Sequence, residues 1–176
     1  MTGLLCSLLL AAAFAAEPVS VAVDRGVEVL RVRFELAEAL PEPLESRLSS
    51  GATAEVMYSV RVYGRRRFFP DRKIWKGDAR STVTFDAVTG RYVCQLIVNG
   101  STTASRESET LEAARDWLRA PPPVEVPLPE SRRDAYLRVR VRAVFASGTT
   151  WLVFPSTDGT AWVEKRLDPE PGDPGE

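Results

Sequence analysis

The chain has 176 residues, enough for one domain with a real core and too few for two large ones. Its 44% hydrophobic and 27% charged composition is that of a soluble globular protein, and a net charge of −1 gives no whole-molecule pull toward nucleic acid or an anionic membrane. There is no histidine, which excludes Ser-His-Asp and Cys-His chemistry and HExxH-type zinc sites.

The charge is unevenly spread. Asp168, Glu170, Asp173 and Glu176 load the tail with acid, so residues 1–167 carry +3. Only Lys73, Lys76 and Lys165 are lysine; the other 20 basic residues are arginine. Arginine can grip carboxylate or phosphate through two parallel hydrogen bonds. A GC-rich genome, whose codons favour Arg, Ala, Pro and Gly, explains the bias more simply.

Residues 4–16 form an uncharged run rich in Leu and Ala. It is shorter than the roughly 20 residues a spanning helix needs. Ala13-Phe14-Ala15 fits the small-x-small pattern of a cleavage site, so 1–16 is expected to be a secretory signal peptide, although Met1-Thr2-Gly3 lacks the usual positive charge. Cys6 lies too early, and follows too large a residue, to be a lipidation site. With the signal removed, Cys94 is the one cysteine left and no internal disulfide can form.

A single β-rich domain is expected over 17–167. A short strand over 19–23 precedes a turn at Asp24-Arg25-Gly26. A clear strand follows over 29–36, with Leu30, Val32, Phe34 and Leu36 on one side and Arg31, Arg33 and Glu35 on the other. Pro41-Glu42-Pro43 opens a short helix, Leu40, Leu44 and Leu48 give it one apolar stripe, and Gly51 ends it. The strand over 55–63 turns Val56, Tyr58, Val60 and Val62 inward. A basic, aromatic elbow over 65–73 comes next. Strand pieces over 74–75, 80–88 and 91–98 complete a meander, with turns at Thr89-Gly90 and Asn99-Gly100 and a short return strand over 101–105. Cys94 alternates with Tyr92, Leu96 and Val98, which makes it a small buried apolar residue.

Ser108 is the expected cap of a second helix, with Leu111, Ala114 and Leu118 buried and Trp117 on the flank. Pro121-Pro122-Pro123 stops it. The proline-punctuated segment 124–129 can only be extended, at an edge or in a linker. The strand over 135–145 points Leu137, Val139, Val141, Ala143 and Phe145 inward and Arg138, Arg140 and Arg142 outward. A last hairpin is expected from 150–154 and 160–165, and the Pro/Gly-rich acidic tail over 168–176 is too polar to fold. The class is mainly β (α+β): an antiparallel, β-sandwich-like domain with two short helices.

The elbow is the candidate binding site. Arg65, Arg66, Arg67, Arg72 and Lys73 surround Phe68 and Phe69, with Asp71 as the one local acid. If the run stays extended, adjacent Phe68 and Phe69 point to opposite faces, one into the core and one toward a partner. The competing reading is a solvated turn whose phenylalanines both fold inward. Arg31, Arg33, Arg138, Arg140 and Arg142 would form a basic ladder if their strands were neighbours, but Glu35, Val29 and Val144 are poor stacking platforms for nucleic acid. Asp71 and Asp86 are turn formers rather than a general acid and base. No catalytic residue, metal ligand or cofactor is assigned.

The strand over 29–36, the short helix ending Ser49-Ser50-Gly51, the run from Arg65 through Ile74 and then Val88-Thr89-Gly90-Arg91-Tyr92 resemble an uncharacterised family of exported bacterial proteins defined by a domain of unknown function. The similarity covers about residues 27–165. It departs at Phe68-Phe69-Pro70, where tryptophans are expected. The resemblance implies a bacterial envelope protein and an association with sensor-kinase signalling, and brings no catalytic residues. The expected function is therefore a periplasmic, non-enzymatic domain binding an envelope protein or anionic envelope component, without nucleic acid and without a transmembrane segment in the mature chain. The alternatives are an enzyme of unknown class, or a cytoplasmic nucleic-acid binder if 1–16 is retained.

Overall fold

The computed structural model describes residues 19–26, 28–37, 39–66, 68–132, 136–145 and 159–169. Their order is β1 (Val19–Arg25), β2 (Val29–Leu36), α1 (Glu42–Ser49), β3 (Ala54–Gly64), β4 (Arg72–Asp86), β5 (Arg91–Val98), β6 (Ser101–Ser108), α2 (Leu111–Arg119), β7 (Val124–Pro127), β8 (Leu137–Phe145) and β9 (Val163–Leu167). Two antiparallel sheets result, one of order β1-β2-β7 and one of order β6-β5-β4-β3-β8-β9. The expected α+β sandwich-like class is what forms.

The large sheet follows from period-two patterning. Val56, Tyr58, Val60 and Val62 of β3 and Leu137, Val139, Val141 and Ala143 of β8 are all buried on one face. Helices α1 and α2 cover that face over β3, β4 and β5, while β1 lies against β8 and β9. Tyr58 ties the layers together. Its ring stacks on Phe34 of β2 at 4.3 Å, and its hydroxyl donates to the Leu118 carbonyl at 2.8 Å. Ser81 donates to the Trp117 carbonyl at 3.1 Å. Both bonds satisfy carbonyls that the end of α2 leaves without a partner inside the helix.

Several boundaries differ from the expectation. Asp24 and Arg25 pair with Arg31 and Leu30 inside β1 and do not turn. The pieces over 74–75 and 80–88 are one continuous strand, β4. Gly77 lies between the two pieces. It sits there because the Trp75 ring lies across it: a Cβ at this position would fall 2.2 Å from that ring. The return strand β6 runs on to Ser108, so the cap of α2 is Thr110, whose side chain accepts from the Ala113 amide at 3.3 Å. Trp117 is buried rather than flanking. Segment 124–129 does lie at an edge, as β7. The arm expected over 150–154 lies outside the described residues; the second arm begins later, at Val163, and pairs with β8.

Turn chemistry matches the residues. Gly51 ends α1 at φ 76°. Asn99 and Gly100 take φ 50° and 87°, the positive pair a two-residue hairpin needs. Among the described residues no helix is long and apolar enough to cross a membrane.

Candidate functional site

The elbow closes the β3–β4 hairpin. Gly64 pairs with Arg72 and Tyr63 with Lys73, and the register slips between Val62 and Tyr63 because β4 carries one extra residue. Such a bulge bends the strand and re-aims the residues beyond it. Arg72 and Lys73 are the first two residues of β4, and Lys73 faces Tyr63 across the ladder. Arg65, Arg66, Arg72 and Lys73 are all exposed. Arg67 lies outside the described residues.

Phe68 is 83% exposed and Phe69 70%. Neither anchors the core, which corrects both expectations: the run is a bend rather than a strand, so the two rings do not alternate across a sheet, and they do not fold inward. Tyr136, half exposed, joins the same end, since its carbonyl accepts from the Arg65 amide at 2.9 Å. Asp71 turns away from the elbow and pairs with Arg138 at 2.9 Å. The one acid expected to offset the cluster is thus spent on β8. Arg65, Asp71, Tyr136, Arg138, Arg166 and Asp168 line a cleft of about 130 Å³ behind the elbow. That is small beside the roughly 300–1,000 Å³ of small-molecule sites.

The basic ladder that would require β2 and β8 to be neighbours does not form, because the two strands stand in different sheets. Arg31 and Arg33 stand in the small sheet and pair with Glu125 and Asp24. Arg138, Arg140 and Arg142 stand in the large sheet, and they are not simply a solvated row. Trp162, just before β9, receives the guanidinium groups of Arg61, Arg140 and Arg142 over its ring, with distances of 4.5, 5.2 and 4.9 Å to the centroid. Arg138 lies over Tyr63 at 5.1 Å. Sequence inspection of the outward positions missed both rings. Tyr63 was two residues beyond Arg61 on the same face, and Trp162 becomes visible only once β9 is placed beside β8.

Cys94 is buried, and burial pushes its thiol up from the ordinary value, as an inert core position requires. Asp86 accepts from the Val88 amide and the Thr89 hydroxyl, each at 2.9 Å, and these bonds lower its carboxyl pKa. It is a turn former. Among the described residues no group of three His, Cys, Asp or Glu is placed to hold a metal ion.

No curated protein and no solved structure matches the chain. A family's sequence model does match, over residues 13–149, somewhat N-terminal of the span the resemblance suggested. The chain belongs to that family, the one defined by a domain of unknown function, DUF4390.

Proposed function

We propose that this protein is an exported, non-enzymatic binding domain of the bacterial cell envelope that docks onto an anionic envelope surface through its elbow. One observation carries the reading: two adjacent phenylalanines stand 83% and 70% exposed in a loop bounded by Arg65, Arg66, Arg72 and Lys73. Folding gains little from this arrangement. The rings bury little apolar area in the core, and crowded like charges at a surface repel. A partner gains from both, because the rings offer apolar contact while the cations meet negative charge. The apolar run over 4–16 and its Ala13-Phe14-Ala15 site support export. An acidic sensor domain is one partner of this chemistry, in line with the link to sensor-kinase signalling that the resemblance implies.

Two measurements test the reading. N-terminal sequencing of the mature protein is expected to begin close to Ala16 or Glu17; an intact Met1 in a cytoplasmic fraction removes the envelope assignment. Binding is then compared for the wild type and for Arg65→Gln/Arg66→Gln/Phe69→Ser, on anionic lipid vesicles and by crosslinked capture from native envelopes. The variant is expected to keep its thermal stability and to lose binding. The wild-type interaction weakens as salt rises. The vesicle arm separates a lipid surface from an acidic protein. Full binding by the variant in both arms leaves the elbow a solvated turn.

A further inference from the structure

The outward face of β3, β8 and β9 carries a second cluster, distinct from the elbow. Arg61 stands opposite Arg140 across the β3–β8 ladder, and Arg142 is the next residue on the same side of β8. Arg61 and Arg142 are therefore diagonal neighbours, roughly 7–8 Å apart at the backbone. Their guanidinium groups and that of Arg140 converge on one indole, Trp162. Like charges converge in this way only if something offsets their repulsion.

The acids nearby offset part of it. Glu164 lies 3.6 Å from Arg138 and 3.9 Å from Arg140, and Asp71 pairs with Arg138. Glu55 is engaged by Arg80, and Asp78 accepts from Ser59. No acid among the described residues pairs with Arg61 or Arg142. The Nε atoms of Arg61, Arg138, Arg140 and Arg142 are moreover buried, with no hydrogen-bond partner among the described residues. A buried donor without an acceptor costs on the order of 1–3 kcal/mol. With Arg166, which also holds Glu164 at 3.2 Å, the described part of the face has six guanidinium groups against four carboxylates, two in excess, pinned by stacking and short of acceptors.

We propose that this face is a phosphate-binding site, in which a doubly charged phosphate group sits between Arg61 and Arg142 at the rim of Trp162. The two charges of the phosphate match the two cations that lack an acid. Its oxygens suit the planar fork of guanidinium donors. Trp162 holds those forks in place before the ligand arrives, so less side-chain entropy is lost on binding. Arg140 adds a shared contact, with Glu164 limiting its charge.

The phosphate has two possible sources, a small soluble phosphate or the phosphomonoester headgroup of a phosphatidate-type lipid. Calorimetric titration of the full chain with inorganic phosphate, beside sedimentation with vesicles containing phosphatidate, distinguishes them. Saturable binding in either arm is expected. Arg61→Gln/Arg142→Gln should weaken it at least about tenfold, the loss of one charge-assisted contact or more. Phosphate should raise the thermal midpoint of the wild type and leave that of the double variant unmoved, while the variant alone should melt close to the wild type because the repulsion it relieves offsets the stacking on Trp162 that it gives up. Affinity should also drop from about pH 7.5 to about pH 5, since a phosphomonoester loses its second charge near pH 6. The elbow variant described above is expected to bind inorganic phosphate normally, so failure of the elbow reading and failure of this one are separable. Equal phosphate affinity in the wild type and the double variant, or no saturable binding in either arm, overturns the proposal. So does binding of an acidic peptide while both phosphate probes fail.

Discussion

The two faces of the large sheet are built from the same strands and do opposite things. The inner face of β3 and β8 is eight aliphatic or aromatic positions that meet helices and a second sheet. The outer face at the same register is Arg61, Tyr63, Arg138, Arg140 and Arg142, with the guanidinium groups laid against the Trp162 and Tyr63 rings. The inner face is where truncation should remove stability. The outer face and the elbow are where substitution should change binding and leave the fold. On the proposed reading, a single residue of register separates the positions that hold the sheet together from the arginines that would meet a ligand.

The sharpest way to break that comparison is to truncate both faces. Leu48→Ala, on α1 and 1% exposed, should cost about 2–5 kcal/mol in chemical denaturation, as a cavity beneath a helix does. Arg140→Gln should cost no more than about 1 kcal/mol, since it gives up a cation–ring contact with Trp162 and a long ion pair with Glu164 but opens no cavity in the core. An Arg140→Gln loss as large as that of Leu48→Ala would make the outer face structural. Gly77→Ala comes next, at about 1–3 kcal/mol, because the new Cβ meets the Trp75 ring at 2.2 Å and the ring must move. Tyr58→Phe keeps the Phe34 stack but leaves the Leu118 carbonyl without its 2.8 Å donor, for about 1 kcal/mol. Cys94 should resist thiol labelling in the native protein and react on unfolding; rapid native labelling would place it outside the core.

The smallest effect concerns acid. Glu45 of α1 accepts from Arg115 of α2, and that bond holds its carboxyl below the ordinary glutamate value. A carboxyl lowered by folding adds stability at neutral pH and gives it up as pH falls from the ordinary value through the lowered one. Glu45→Gln should therefore flatten the acid limb of the stability curve slightly. The pair is about one-third exposed, so solvent holds its contribution under about 1 kcal/mol.

Much of the inner face was legible in the sequence because burial imposes a strict period of two. Leu30, Val32, Phe34 and Leu36 announced β2 at its true bounds, and Leu44 and Leu48 announced the buried stripe of α1. The continuity of β4 across Gly77 was not legible, since a glycine kept for a neighbouring ring looks the same as one kept for a turn. Ser108 and Thr110 are both good caps, and only the length of the β5–β6 pairing decides between them. The elbow was legible as a basic and aromatic run, but the outward turn of both phenylalanines was not, because hydrophobicity alone favours burial. The Trp162 cluster was least legible. Its members are brought together by strand order, with β9 beside β8 and β8 beside β3, and order is a long-range property that no local pattern encodes.

The central claim is that the elbow end of the β3–β4 hairpin faces a partner. The β4–β5 turn at the other end of β4 supplies an internal control, for Val88 there is 94% exposed and stands roughly 50 Å away along the strand. A photo-crosslinking amino acid placed at position 69 or at position 88 reports on each end in the native envelope. The account predicts adducts from position 69 that fade as salt rises, and few from position 88. Equal adduct yields from the two positions, or none from position 69, would contradict it.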